Sequence, residues 1–470
     1  MSQAPEIKNA RPSSASTVST AAEPDSPSAI KADDSLKVGT LQYTKAGLFM
    51  LFFWLFWNDA CFMLMEQVAP NLTPLILKSC GASNKEIALY LSTLVGIGTI
   101  WINPVISTYS DRFRHPLGRR RPFLLVATPF CALFLAGIPF MPDFFHYLAK
   151  IPILTAFAGA GHVNGVILFV GLCYFVYAVF NSVLQALFSY YFWDVVPVAM
   201  LGRFTALTKV VSTVVNFVWN YYFFGLAETH MKSIFVGCAL CFATVYLVTL
   251  WKVKEGSYPA PQPRKKGNIF APIRLYFIEC FSSSYFLWFF GANALFQIGN
   301  LSNMYQIFYF QHDLGLSLDT VGKMRSWPAL LVVPLAYPLG KLIDYLNPIR
   351  MIAPVLLIWG ISNIVSFFFL KDQLSLLLCI AFTTLISFPF GICLSAITVE
   401  VFPREKLGQF CSANQITSSV TCFFFSMAVG TFFDLIKNYR YVFLWSAVFE
   451  IIAALFFLKI YFHWRKQERH

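Results

Sequence analysis

The chain has 470 residues, of which 57% are hydrophobic and 12% charged, with 35 Lys and Arg against 23 Asp and Glu. A soluble surface needs about 25% charged residues, so a string of soluble domains is excluded, and so is disorder over most of the length. Eleven Cys, nearly all inside apolar runs, exclude a disulfide scaffold.

Residues 1–44 are rich in Ser, Ala, Pro, Lys and Asp and show no periodicity, so they are expected to form a disordered tail. They lack the immediate apolar core of a secretory signal. A bilayer core takes about 20 apolar residues per helix. Twelve such runs follow, near 46–70, 86–109, 122–140, 165–192, 205–227, 232–252, 284–310, 321–344, 349–370, 374–398, 409–433 and 440–462. The first holds Trp54, Trp57, Asn58, Asp59 and Glu66. At 1.5 Å per residue, Asp59 lies about 20 Å along a helix starting near Lys45, close to mid-depth. Glu66 is seven residues on and shares its face. An ionisable group in hydrocarbon is costly and marks function by default, so both acids are candidates to bind a coupling ion. Trp54 and Trp57 flank Asn58 and Asp59 and could offer a platform for a sugar ring.

After the second run stands Ser110-Asp111-Arg112, then Gly118-Arg119-Arg120-Arg121-Pro122. The segment 141–164 is an insertion relative to the second half of the chain; within it, Ile151 to Ala160 is apolar but too short to span. The fourth run carries Asn181, Gln185 and Ser189 at helical spacing, and the fifth carries Ser212, Asn216 and Asn220. Amides both donate and accept, which suits sugar hydroxyls. Lys209, near a helix end, is expected to snorkel. In the sixth run Cys238 and Cys241 form a C-x-x-C that reads as packing. A Pro-rich basic stretch, Lys252 to Lys266, divides the chain. Beyond it, Asn293, Gln297 and Asn300 line one face of the seventh run, with Asn303 and Gln306 nearby. The eighth ends at Lys341 and Asp344, the eleventh holds Asn414, Ser418 and Thr421, and the twelfth holds Glu450.

The connectors alternate in charge. One side carries 26 of the 35 Lys and Arg, which places both termini in the cytosol. The +12 net charge is then a topology signal and not a nucleic-acid footprint. The halves also echo each other. Asp194, Pro197, Leu201-Gly202-Arg203 and Phe204 recur, 206 residues on, as Glu400, Pro403, Leu407-Gly408-Gln409 and Phe410. Two parallel six-helix repeats signify a transporter architecture in which two bundles rock about a central site. The expected organisation is a tail at 1–44, bundles at 45–252 and 283–462, a linker at 253–282 and a second tail at 463–470. Acids and arginines at the cytosolic turns (Asp111, Arg112, Arg119, Arg120, Arg121, Asp194, Arg203, Lys341, Asp344 and Glu400) could clasp and release the bundle ends.

Leu72-Thr73-Pro74, Pro104 and the string Ser110-Asp111-Arg112-x5-Gly118-Arg119-Arg120-Arg121-Pro122-Phe123 resemble the amino-terminal half of sucrose–proton symporters. More broadly they resemble the glycoside–pentoside–hexuronide cation symporters of the major facilitator superfamily. Where sucrose symporters carry an arginine in the fourth helix, this chain has Ser189. The resemblance implies an all-α membrane protein with the major facilitator fold, acting as a monomer on a sugar or glycoside with a proton or sodium ion as driver. A plasma membrane or a bacterial inner membrane would suit it. Other small polar solutes (nucleoside, organic acid, peptide or drug) are the alternative cargo. No phosphate loop, zinc pair or nucleophile elbow suggests an enzyme. No catalytic residue, resident metal, cofactor or nucleic-acid partner is expected.

Overall fold

The structure is a computed structural model that describes residues 37–38, 41–148, 150, 165–197, 200–256, 270–403 and 406–467. Expectations for residues 1–36 and for the apolar stretch 151–160 fall outside these. A two-residue strand pair, Lys37–Val38 with Leu41–Gln42, stands within the segment expected to lack structure.

The amino half comprises α1 (Lys45–Ser79), α2 (Asn84–Ala88), α3 (Leu94–Arg112), α4 (Arg121–Gly137), α5 (Met141–Leu148), α6 (Gly165–Val195), α7 (Leu201–Val218) and α8 (Ala227–Lys252). In the carboxyl half follow α9 (Phe270–Phe281), α10 (Ser284–Asn300), α11 (Leu318–Leu346), α12 (Pro348–Phe369), α13 (Gln373–Val401), α14 (Leu407–Ile436) and α15 (Tyr441–Gln467). Helix α9 lies in the stretch read as a linker.

Local chemistry sets the helix starts. The Thr44 hydroxyl accepts from Gly47 N at 3.0 Å. Ser83 and Glu86 form a reciprocal capping box that opens α2. Asp372 and Ser375 do the same for α13. Asn347, at φ 68°, turns the chain between α11 and α12 and accepts from Ile349 N, with Pro348 at the first helical position.

Among the described residues, ten helices are long and apolar enough to cross a membrane. The fifth and seventh expected runs form helices that are interrupted. Helix α7 passes into a π turn, Trp219–Phe223. Helix α10 passes into a 3-10 turn at Leu301–Tyr305, a short helical turn, and a π turn at Tyr309–Asp313. Polar side chains are concentrated at the second break, where Ser302 Oγ donates to Gly299 O at 2.9 Å and competes with the helical ladder.

Chain direction puts the start of α1 and the end of α15 at one end of the molecule, here the terminal end; the opposite is the far end. The larger apolar core fills the amino half. At the far end it continues into the carboxyl half through Tyr305, Phe308, Leu318, Val429 and Phe433. The terminal side of the carboxyl half has a separate core around Phe289, Phe290, Ile397, Phe402 and Phe457. The two halves therefore share one interior at the far end and keep separate interiors at the other.

Candidate functional site

The far-end seam is polar as well as apolar. Helix α2 begins against α14, where the Asp434 carboxylate accepts from Asn84 N and Lys85 N, each at 2.9 Å. A helix start leaves such N–H groups without partners of their own. Tyr305 Oη donates to Asn84 O at 2.8 Å, and Tyr439 Oη donates to Asn84 Oδ1 at 3.0 Å. Deeper in the seam the Thr93 and Ser426 hydroxyls bond each other. On the other flank Leu318 N donates to Glu228 Oε1 at 2.7 Å. Close backbone approach requires glycine here. A Cβ on Gly322 would collide with Asn220 O, and one on Gly430 would sit 2.6 Å from Asn84 O.

Toward the terminal end a cavity of about 1050 Å³ lies between the halves, walled by Lys209 and Thr213 of α7, Val332 and Ala336 of α11, and Ser387, Gly391 and Ser395 of α13. Asp59 is half-buried on α1, and its electrostatic neighbours are Lys209 and Ser212 of α7. Lys209 is exposed and walls the cavity, with Asp59 as an electrostatic neighbour. Its spacing to Asp59 is non-local and leaves no pattern in the chain.

Glu66 lies deeper in the amino half, where Asn181 Nδ2 donates to its Oε1. This brings together two of the expected residues from α1 and α6. Asn58 is fully buried beside Tyr246 of α8. Gln185 and Ser189 are exposed on α6, where Ser189 bonds back to its own helix. Asn220, in the π turn that follows α7, is buried and bonds Asn216 of α7, so these two form a local pair. Asn293 bonds its own helix at Phe289 O, 3.2 Å. Gln297 is half-buried on the same helix. Asn300, Asn303 and Gln306 form an amide chain with links of 2.9 Å. It leads to a second cavity of about 190 Å³ inside the carboxyl half, which Glu450 also lines. The tryptophans stand apart from this polar set. Trp57 is exposed on a face with Phe49 and Phe53, and Trp54 lines a groove with Tyr43, Met50 and Lys252.

At the terminal end the arginine string acts within the amino half. Asp194 at the end of α6 pairs with Arg119 at 2.9 Å and Arg120 at 3.0 Å. Arg120 also lies over the Tyr190 ring. Glu255, just past α8, accepts from Arg120 N at 3.1 Å and Arg121 N at 3.4 Å, with Arg119 Nε 3.8 Å away. The Glu255 side chain is fully buried. Burial holds its carboxyl above the ordinary glutamate range, against the pull of those N–H groups. Gly118, at φ 112°, lets the turn fold over Glu255. Sequence reasoning missed Glu255 because it follows the last apolar residue of its run and looks like a solvated linker charge. In the carboxyl half Lys341 and Glu400 are exposed near the same end, and Lys406 pairs with Glu279 of α9 at 2.7 Å. The side chains of Asp111, Arg112, Arg203 and Asp344 lie outside what the structure describes.

Arg325 of α11 was also unanticipated. Its guanidinium lies over the rings of Phe224 and Phe310, at 5.9 and 5.7 Å, and makes no ion pair among the described residues.

Residues 287–470 match the sequence profile of the Major Facilitator Superfamily. No curated protein matches the chain. Solved structures with a similar fold include a bacterial homologue of the iron transporter ferroportin in an inward-facing state (TM-score 0.64, 15% identity, covering 88% of this chain and 99% of that one). A bacterial homologue of the human lysosomal transporter Spinster, inward-facing and unoccupied, gives a TM-score of 0.65 at 12% identity, over 89% of this chain and 98% of that one. A D-xylose–proton symporter gives 0.62 at 14% identity, over 87% and 98%. The chain has the major facilitator fold, an all-α membrane architecture of two helical bundles.

Proposed function

We propose that the chain is a secondary transporter that moves a sugar or glycoside across the membrane by cation symport and alternating access. The observation that carries this reading is the asymmetry between the two ends. The halves share a core and a hydrogen-bonded seam at the far end, and part around a cavity at the terminal end. Charge asymmetry places the terminal end in the cytosol, so this is the cytosol-facing state of the cycle. Asp59, whose electrostatic neighbour Lys209 walls that cavity, is the coupling acid, and Glu66 with Asn181 is a second buried acid on the same helix. The amides Asn216, Asn220, Asn300, Asn303 and Gln306 supply the hydrogen bonds for hydroxyls. The similarity in fold to a D-xylose–proton symporter supports a sugar.

The test is uptake into proteoliposomes of labelled mono- and disaccharides and glycosides under an imposed proton gradient, a sodium gradient, or neither. Accumulation of one sugar under one gradient supports the reading. Silence across the panel with folded protein refutes it. A second reading, an organic acid as cargo, is favoured by Arg325, whose guanidinium lies over two rings and pairs with no carboxylate among the described residues. It predicts uptake of an anionic solute that is lost in Arg325→Gln.

A further inference from the structure

We propose that the carboxyl half holds its own sodium site, centred on Glu450. The inference names a cation for the proposed symport and rests on that reading for its role, although binding itself is measurable without transport. Glu450 is 2% exposed on α15, and Asn363 Nδ2 of α12 donates to its Oε2 at 2.8 Å. A carboxylate buried this deeply must be neutralised. Among the residues lining the adjoining cavity of about 190 Å³ there is no Lys, Arg or His to do so; Cys379 is the other titratable group there.

Hydroxyl and amide oxygens line one wall of the cavity. Thr383 Oγ1 donates to Cys379 O at 2.9 Å, Thr384 Oγ1 to Ile380 O at 2.7 Å, and Ser387 Oγ to Thr384 O at 3.0 Å. Each hydroxyl proton is spent on the α13 backbone, which leaves the lone pairs for the cavity. Asn363 uses its amino group on Glu450, and Gln306 uses its own on Asn303, so both amide oxygens remain as acceptors. A single carboxylate among neutral oxygens balances one positive charge and gives hard-oxygen ligation, which suits sodium in place of a divalent ion. A proton alone would need none of the hydroxyls. Ser387 also walls the cavity between the halves, so the two cavities adjoin at this residue.

Trp359 lines the same cavity and provides a built-in reporter. The experiment titrates the detergent-solubilised full chain with NaCl against choline chloride at constant ionic strength, following tryptophan fluorescence and melting temperature. Saturable quenching or enhancement and a rise in melting temperature are expected with sodium and not with potassium. Trp359→Phe should lose the optical signal and keep the thermal one. Glu450→Gln should raise the half-saturating sodium at least tenfold. If Glu450→Gln does not fold, Thr383→Val with Ser387→Ala should still weaken binding several-fold. No sodium response in folded protein, a response retained in Glu450→Gln, or a response to pH alone would each overturn the site. Sodium binding without uptake of any sugar would leave the site standing and remove the sugar reading.

Discussion

Asp434 offers a direct handle on the seam between the halves. It accepts two backbone N–H groups at the start of α2, both at 2.9 Å. A hydrogen bond to a charged acceptor contributes about 1.5–3 kcal/mol, and a carboxylate at a helix start adds up to ~1 kcal/mol. The site is half-exposed and water replaces part of what Asp434→Ala removes, so the net loss is about 2 kcal/mol. Opening the far end separates these partners, so the loss falls on the far-end-closed state alone. At 1.4 kcal/mol per decade, the ratio of closed to open shifts roughly 30-fold. Spin labels on exposed Thr229 and Lys371, one on each half, report the change through the distance distribution from pulsed electron resonance. Asp434→Ala should move population into a longer-distance component, and Asp434→Asn, which keeps one acceptor, should move less. An unchanged distribution in a variant that melts like wild type would refute the idea that this carboxylate holds the seam.

Gly430→Ala should act in the same direction, since its Cβ would sit 2.6 Å from Asn84 O; the overpacking is worth about 1–3 kcal/mol and is read with the same labels. Asp194→Asn removes two ion pairs whose side chains are only 7–18% exposed. The expected cost is about 2 kcal/mol, below the ~3–5 kcal/mol of fully buried pairs, seen as a lower melting temperature with the seam distances unchanged. Glu255→Gln tests the buried turn by pH. Burial raises the folded carboxyl above its unfolded value, so its contribution to stability is fullest below the unfolded pKa and declines as pH rises through the folded one. Gln does not titrate, so the melting temperature of the variant minus that of wild type should increase with pH; a decrease would reverse the assignment. Asp59→Asn should abolish gradient-driven accumulation in proteoliposomes while facilitated exchange persists, and unchanged accumulation would remove Asp59 as the coupling acid.

Much of the architecture is legible in the sequence, because a bilayer demands long apolar runs and the charge between them sets topology. The capping box at Ser83 and Glu86 follows a local pattern that sequence can expose. The interruptions after α7 and α10 were not foreseen, since hydropathy is blind to helical register. For the site, the acids of α1 stand out because charge is rare in hydrocarbon, and the structure gives each a neighbour on another helix. Those neighbours are the part that sequence hides. Asp59 faces Lys209 across 150 positions of chain, Asp434 meets α2 across 350, and Glu255 reaches back to an arginine turn 135 positions earlier. No periodicity encodes such pairings. The amide stripes were legible as stripes, but their division into local pairs, such as Asn216 with Asn220, depends on geometry. Trp54 and Trp57 illustrate the converse. Adjacency in sequence suggested a shared role with Asp59, and the helix rotates them onto other faces.

The separate interiors at the terminal end have a mechanical consequence. Lys45 and Gln467 both sit on the side where the halves are parted, while the shared core lies at the other extremity. The two bundles then behave as the handles of a pair of tongs whose pivot is the far-end seam. Tension that spreads the tails would load that seam by peeling it layer by layer, a mode that yields at low force. A protein that gripped both ends of the chain and drew them together would squeeze the handles shut. It would hold the two bundles together without entering the cavity between them.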